Sequence, residues 1–561
     1  MRGMTATLRT ALGEARGALR EVLRNQGLRR IQLAWALGIA GDTAFLVALL
    51  IVAFAAGGAL AVGLVGIVRT APAIVVGPLA GLPIGRTSPG RVLLVVHLVR
   101  GASAVLATGW LLVGGPFAGI LILAAISATA GALVRPIQVA AMPTFARGPG
   151  ELVAVNIVTS AGEGVGAFAG PLAAGIAVTV AGPVGAAAAG SLLLVAAIAA
   201  LAGLRATADE EAEHRAEATA RRASASGRRS AAMTAPAALR AAPAARAVLL
   251  DFGGQVFVRG LSTALIVVAS LQLLGLGEPG VGLLVAAYGL GSLAGAIGAV
   301  GLAGRRQLGP VFAVALSLWG LPLAVIGAVP LPAIALAALL VSGVANGVLD
   351  VAGFTILQRG VPTRARAPVF GLLEAIIGIG VSAGSIVVPV LISSLGPRGA
   401  LAVAGAILPI LAVATWPRLS RADVEAVLPE RELALLRGIA MFARLPMSAL
   451  ERIADALEPA AWEAGSVIMA EGDPGDAYVI IAEGIVEVSV AGRPINRCGP
   501  GEGLGEIALI QAIPRTATAT AVVATSGYRL SSPDFLAAVA GPTSAAAAAA
   551  IASERLARTT A

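Results

Sequence analysis

Two short stretches near the end of the chain contain the residue types that bind a sugar phosphate. They are GEIAL at 505–509 and PRTAT at 514–518. A phosphate with a single negative charge is held by a guanidinium, here that of Arg515, and by backbone N–H groups at the start of a short helix. A carboxylate such as that of Glu506 accepts a hydrogen bond from a ribose hydroxyl. The two stretches therefore predict one pocket.

Charged residues inside apolar stretches are the second group that could do chemistry. A charge at the centre of a bilayer costs at least about 2.5 kcal/mol, so it needs a partner or a role. Asp42 lies about 18 Å along a helix from Arg30, at 1.5 Å per residue, which is near the midplane of a spanning helix. Asp42 is expected either to couple transport to protons or substrate, or to lock two helices together by pairing with Arg259 or Arg69.

Other residues inside apolar stretches are weaker candidates. Glu374 is a candidate for lining a central cavity, whereas His97 is expected to be a packing residue. Asp251 is expected near the membrane interface. Further charged residues in these stretches are Arg135, Glu163 and Asp350.

Composition indicates a multi-pass membrane protein. Of the 561 residues, 57% are hydrophobic and only 13% are charged, and the mean hydropathy is +0.89, which excludes an ordinary water-soluble protein. Stretches of about 20 apolar residues are long enough to cross a bilayer as helices. Twelve such spans are predicted, near 30–56, 60–84, 91–113, 116–143, 152–180, 182–204, 247–273, 280–303, 308–328, 331–357, 367–395 and 399–416.

The charge pattern predicts the orientation of these spans in the cell membrane. A net charge of +9 could indicate nucleic-acid binding, but the basic residues are concentrated in the loops on one side of the predicted spans. By the positive-inside rule both termini are cytoplasmic, and no nucleic-acid partner is expected. Because Cys498 is the one cysteine, the sequence predicts neither an internal disulfide nor a metal site.

The rest of the chain divides into short connecting segments. Residues 1–29 have leucines and arginines at amphipathic helical spacing and are expected to lie on the cytoplasmic membrane face. Residues 205–246 are polar and alanine-rich, which predicts a cytoplasmic linker, and 419–435 form a second linker.

An internal repeat relates the two sets of six spans, 30–204 and 247–418. Residues 61–86 align with 280–305 without a gap, and both segments are the second span of their set. The same register places Asp42 opposite Leu261. Transporter folds are commonly built from such repeats around a midplane site, so the fold class predicted is a mainly α twelve-helix bundle of two six-helix halves.

Residues 20–418 resemble the major facilitator superfamily in this layout and in the stretches NQGLRRIQLAWALGIAGDTAFLVALLIVAF and GLVGIVRTAPAIVVGPLAG. The loop GLPIGRTSPGR keeps Gly81, Arg86 and Arg91 of a family motif but has Gly85 where the family has aspartate, which implies unconventional gating of the inner face. GAFAGPLAAG at 166–175 is similar to the glycine-proline motif of antiporters, although Ala174 replaces one glycine. It implies export, and plain helix packing is the alternative.

The tail, 436–561, resembles a cyclic nucleotide-binding domain. Short alternating runs such as AYVIIAEG and IVEVSVAG predict strands, so we expect a small β-roll flanked by helices. The resemblance implies cAMP or cGMP as a regulatory ligand, with cAMP favoured. The residues that it implies in binding are Gly505, Glu506, Ile507, Ala508, Arg515 and Thr516.

Together these patterns predict a secondary active transporter regulated by cyclic nucleotide. We expect a proton-coupled exporter of an amphipathic or lipophilic small molecule, in contact with membrane lipid. The alternative is a membrane-anchored cyclic-nucleotide receptor or scaffold that does not transport. An enzyme is not expected, because no nucleophile and base stand in a recognisable pattern.

Overall fold

The computed structural model describes most of the chain, in two compact units, Met1–Ala426 and Val427–Ala561. The residues described are 20, 22–76, 89–145, 149–202, 239, 242–299, 308–361, 363–420, 430–443, 445, 447–511 and 513–539. Several predicted features lie outside them: most of the amphipathic segment 1–29, most of the linker 205–246, much of the linker 419–435, the loop with Gly81, Gly85 and Arg86, and the alanine-rich end of the chain.

Nine helices within the described part of the first unit are long and apolar enough to cross a membrane. A five-residue π-helical turn, Ala269–Leu273, extends the fifth of them. The helices are α1 Gln26–Val76, α2 Pro89–Leu112, α3 Phe117–Phe145, α4 Pro149–Leu201, α5 Pro243–Val268, α6 Gly277–Ala299, α7 Leu308–Ala328, α8 Pro332–Gly360 and α9 Thr363–Leu419.

Three of these helices are each two spans joined by a tight turn. The backbone leaves helical geometry at Gly57 and Gly58 in α1, at Ala181 and Gly182 in α4, and at Gly396 in α9. Gly58, Gly182 and Gly396 have φ of 59°, 59° and 69°, which glycine adopts without a Cβ clash. In the described part of the chain, nine helices therefore supply twelve spans, and the predicted bundle of two six-helix halves is confirmed.

The two halves of the bundle meet along a seam of small residues. A Cβ on Gly282 of α6 would stand 2.6 Å from the carbonyl oxygen of Pro171 and 2.7 Å from Cα of Gly175 in α4. Pro171 and Gly175 belong to the GAFAGPLAAG motif, so the motif takes part in this close approach. We call this contact of Gly175 and Gly282 the glycine seam, and it lies toward the bundle end that carries the tight turns.

A second contact joins the halves on the other flank of the bundle. Gly66 of α1 packs against the Ser385 side chain of α9. One turn further along, the hydroxyls of Thr70 and Ser382 are 2.9 Å apart. The halves are therefore in close contact along two flanks.

The second unit is a pair of four-stranded antiparallel sheets with helices, which confirms the predicted β-roll. One sheet has the order β1-β8-β3-β6 and the other β2-β7-β4-β5. The elements are α10 Glu430–Gly438, α11 Met447–Ala456, β1 Glu458–Trp462, β2 Val467–Met469, β3 Ala477–Glu483, β4 Val486–Val490, β5 Arg493–Cys498, β6 Gly503–Leu504, α12 Glu506–Gln511, β7 Thr518–Ala521, β8 Thr525–Ser531 and α13 Ser532–Val539.

An aromatic cluster connects the first sheet to its flanking helices. The rings of Tyr478 on β3 and Phe535 on α13 stack with centroids 4.7 Å apart, and Phe442 meets Tyr478 edge to face at 6.0 Å. All three side chains are almost completely buried. Because β3 pairs with β6 and β6 leads into α12, this core holds the start of α12 in place.

Candidate functional site

The tail unit has a pocket at the point where β6 passes into α12. All six predicted residues, Gly505 to Ala508 with Arg515 and Thr516, line it. Its empty space is about 690 Å³, counted to its open mouth. The other lining residues that are apolar are Met469, Val488, Ile495, Leu504, Ala517 and Ala519.

Arg515 is held rigidly at the base of this pocket, with only 4% of its surface exposed. Its Nη1 donates to the Gly505 carbonyl oxygen at 3.0 Å. Its Nη2 donates to the Ala477 carbonyl oxygen at 2.7 Å and to Oδ1 of Asp476 at 3.0 Å. A Cβ on Gly505, which has φ of 94°, would collide with the guanidinium, so glycine is required there.

Asp476 is a member of the site that the sequence reasoning did not single out. It is the last residue of the acidic stretch EGDPGD at 471–476 and binds a second guanidinium, with Nη2 of Arg529 2.6 Å from its Oδ2. Burial acts to raise the pKa of Asp476, but the Arg515 hydrogen bond and the Arg529 charge outweigh it and lower the pKa. The carboxylate is therefore charged at neutral pH and fixes both arginines.

Glu506, Ile507 and Ala508 form the first turn of α12. The first backbone N–H groups of a helix have no partner within the helix, so an anion in the pocket can accept from them. Glu506 is 1% exposed yet lines the pocket, and its carboxylate can accept a hydrogen bond from a hydroxyl of a bound ligand. Thr516 is half-buried beside Arg515.

In the membrane unit, Asp42 pairs with Arg100 of α2, so the predicted pairing of Asp42 with Arg259 is wrong. The physical reason is that Arg100 projects from a neighbouring helix in the same half and is 3% exposed. Arg69 does face the same cavity as Asp42. Arg100 could have been found from the sequence, because it is a charge inside the predicted span 91–113.

Arg259 belongs to a polar network in the other half. Oδ1 of Asn346 accepts from Nη2 of Arg259 at 2.7 Å, from Nε1 of Trp319 at 3.1 Å and from Nε2 of Gln255 at 3.3 Å. Nδ2 of Asn346 donates to Oδ2 of Asp350 at 2.9 Å. The sequence-based candidates inside the spans were all ionisable residues, so the neutral Asn346 was not identified as this centre.

The repeat register relates the Asp42 cavity to this network. A constant offset of 219 residues places Tyr288 opposite Arg69, Trp319 opposite Arg100 and Asn346 opposite Ser127. Arg69 and Ser127 line the cavity in the first half. Nε1 of Trp319, opposite Arg100, contacts the Tyr288 hydroxyl at 3.3 Å in the second half. Equivalent positions thus line a cavity in one half and pack against each other in the other.

The remaining charged candidates are dispersed. Glu374 is exposed on α9 and does not line the Asp42 cavity. Arg135 and Glu163 approach to 3.6 Å. Asp251, predicted near the membrane interface, is fully buried within the protein and accepts from the Thr415 hydroxyl at 3.1 Å.

His97 is a buried packing residue. It is 2% exposed, and its Nδ1 lies 2.9 Å from the Leu93 carbonyl oxygen one turn earlier on α2. These contacts fit the packing role expected for it, but its Nε2 is buried without a hydrogen-bond partner among the described residues.

Two family models match the chain. Residues 252–470 match the Major Facilitator Superfamily, and residues 460–541 match the cyclic nucleotide-binding domain. The first match covers less than half of the chain and includes the second half of the bundle. The two matches agree with the fusion that the resemblances imply.

Curated relatives are similar to a part of the chain about as long as the cyclic nucleotide-binding match. A cyclic nucleotide-gated potassium channel from Rhizobium etli is 37% identical over 105 residues, which is 19% of this chain and 29% of the channel. A cAMP-dependent protein kinase regulatory subunit from Dictyostelium discoideum is 36% identical over 99 residues, 16% of this chain and 28% of that protein. The chain thus spans under a third of either relative.

One solved structure is also similar to a part of the chain. The regulatory domain of Toxoplasma gondii PKA with cAMP is 31% identical, with a TM-score of 0.19, over 20% of this chain and 44% of that one.

Proposed function

We propose that this protein is a secondary membrane transporter whose activity is controlled by a cyclic nucleotide bound in the tail. The observation that carries the proposal is the presence, in one chain, of a two-half bundle with a charged cavity and a separate pocket with a fixed guanidinium. A transporter needs a substrate site within the membrane, for which the charged cavity of the first half is the candidate, and a regulator needs a second site that can bias its conformational equilibrium.

Cyclic nucleotide is supported as the tail ligand by three features of the pocket. Arg515 supplies one buried positive charge, the first turn of α12 supplies backbone donors, and Glu506 supplies an acceptor. These match the phosphate and the ribose hydroxyl of one ligand. We favour cAMP over cGMP, in keeping with the kinase regulatory relative, whose name includes cAMP.

Proton-coupled export of an amphipathic or lipophilic compound is the finer form of the proposal. Asp42 supports it, because its side chain is 26% exposed and faces a cavity otherwise lined mostly by apolar residues. The close contact of the halves at the tight-turn end supports a state open toward the opposite end, which is the cytoplasmic end if the positive-inside assignment holds.

The test is solute flux through the full chain in liposomes, with and without cAMP or cGMP in contact with the tail. We expect nucleotide to change the flux of wild-type protein and to leave Arg515→Ala protein unaffected. Nucleotide binding without flux of any tested amphipathic solute would support the alternative, a membrane-anchored receptor or scaffold. If the flux is the same with and without nucleotide in both wild-type and Arg515→Ala protein, the proposal that nucleotide regulates transport is refuted.

A further inference from the structure

The cavity beside Asp42 has an excess of positive charge. Among the described residues that line it, Asp42 and Arg69 are the charged ones, and Asp42 is already paired with Arg100. Two guanidinium groups and one carboxylate leave one positive charge uncompensated. Within the described part of the chain, no hydrogen bond or ion pair engages Arg69.

A buried donor also lies next to this cavity. Arg100 is 3% exposed, and its Nε is buried without a hydrogen-bond partner among the described residues. That Nε lies 3.7 Å from where a Cβ on Gly131 would stand, and Gly131 lines the cavity. A buried N–H without an acceptor is costly, so an oxygen that enters beside Gly131 would remove an existing penalty.

The remaining walls of the cavity are apolar, apart from the Ser127 hydroxyl. They consist of Phe45, Leu49, Ala124, Ala128 and Ala132. The empty space is about 640 Å³ including its mouth, and small alanine side chains leave room for a hydrocarbon group next to the polar end.

We infer that this cavity binds an amphipathic carboxylate, with its anionic head between Arg69 and Arg100 and its apolar body against Phe45 and the alanines. This inference rests on the proposed transport function and narrows its substrate class to anions. A cation would be repelled by Arg69, and a neutral compound would leave the excess charge in a low-dielectric site without a counterion.

Binding of three eight-carbon probes to the full chain tests the charge requirement. The chain is placed in nanodiscs of zwitterionic lipid, and octanoate, octanol and octylamine are titrated by calorimetry against empty nanodiscs. We expect octanoate to bind at least about tenfold more tightly than octanol and octylamine to show no saturable binding. Equal affinity for the three probes would overturn the inference.

A series of variants then changes the charge of the cavity in both directions. Arg69→Gln removes the excess charge and should lower the affinity for octanoate at least about tenfold. Arg69→Lys keeps the charge and should retain most of the affinity. Asp42→Asn removes the negative charge and should raise the affinity. Arg135→Gln, which removes a charge outside the cavity, is the control and should change little.

The direction in which each variant changes the affinity for octanoate decides between the outcomes. Unchanged octanoate affinity in Arg69→Gln, or weaker binding in a folded Asp42→Asn, would refute the site. If Arg69→Gln does not fold, Arg69→Lys and Asp42→Asn still test it. Because binding is measured rather than flux, tight octanoate binding without transport would support the cavity assignment and refute only the transport proposal.

Discussion

At the scale of single residues, Arg515 is the centre of the tail pocket. Arg515→Ala is expected to lower cAMP affinity by roughly one to two orders of magnitude, because charge-assisted hydrogen bonds are worth about 1.5–3 kcal/mol. Calorimetry on the unit Val427–Ala561, which has its own hydrophobic cores, measures this. Arg497→Ala, an exposed arginine on β5, is the matched control and should bind like wild type.

Glu506 is expected to recognise the ribose. Glu506→Ala should weaken cAMP and reduce the preference for cAMP over its 2′-deoxy analogue, because the carboxylate acceptor for the hydroxyl is lost. The ratio of the two dissociation constants is the measurement. A ratio equal to that of wild type would mean that a residue other than Glu506 accepts the hydrogen bond from the ribose 2′-hydroxyl.

The lowered pKa of Asp476 predicts that its contribution to the stability of the tail unit is lost at acid pH. Its pKa is lowered in the folded state, so its stabilisation is complete above the ordinary value of 3.8 and is lost as the pH falls below that value. The difference in Tm between wild-type and Asp476→Asn tail units should therefore be constant near neutrality and shrink below about pH 4. It should also be modest, because the side chain is 66% exposed. A difference that stays constant through this acid range would contradict the assignment.

At the scale of elements, the glycine seam between α4 and α6 predicts a conformational effect. Gly282→Leu cannot be accommodated at 2.6 Å from a backbone oxygen, so it should separate the halves at the tight-turn end. Spin labels at the exposed positions Val180 and Leu331, in a Cys498→Ala background, should report a longer distance.

Gly298 lies in the same helix, and a Cβ there would meet nothing within 4 Å. Gly298→Leu is therefore the control and should leave the distance unchanged. If the two variants give the same distance distribution, the seam does not hold the halves together.

The spans and the residues of the tail pocket could be predicted from the sequence because they are marked by patterns within short stretches of the chain. Spans appear as apolar runs, and Glu506 and Arg515 lie close together in the chain. The pairing of Asp42 with Arg100, and of Arg515 with Asp476, joins residues far apart in sequence. Such partners depend on helix rotation and strand register, which hydropathy and propensity do not determine.

At the scale of the whole molecule, Asp42 should matter for coupling but not for nucleotide binding. Asp42→Asn is expected to abolish pH-driven flux in liposomes, because the group that could carry the proton is removed, while cAMP affinity of the full chain stays within a few-fold of wild type. Unchanged proton-driven flux would instead make Asp42 a structural partner of Arg100.

Arg69 and Tyr288 occupy equivalent positions of the repeat but have different surroundings, and this difference has a mechanical consequence. Around Asn346, hydrogen bonds connect three helices of the second half, α5, α7 and α8, so this half has little freedom to reshape when cargo enters. The first half has alanine walls and an arginine, Arg69, without a hydrogen bond or ion pair among the described residues, so it has room to adapt. The second half would then move as a rigid body, whereas the first half would change shape around the cargo. The two copies of the repeat would therefore contribute unequally to each transport cycle.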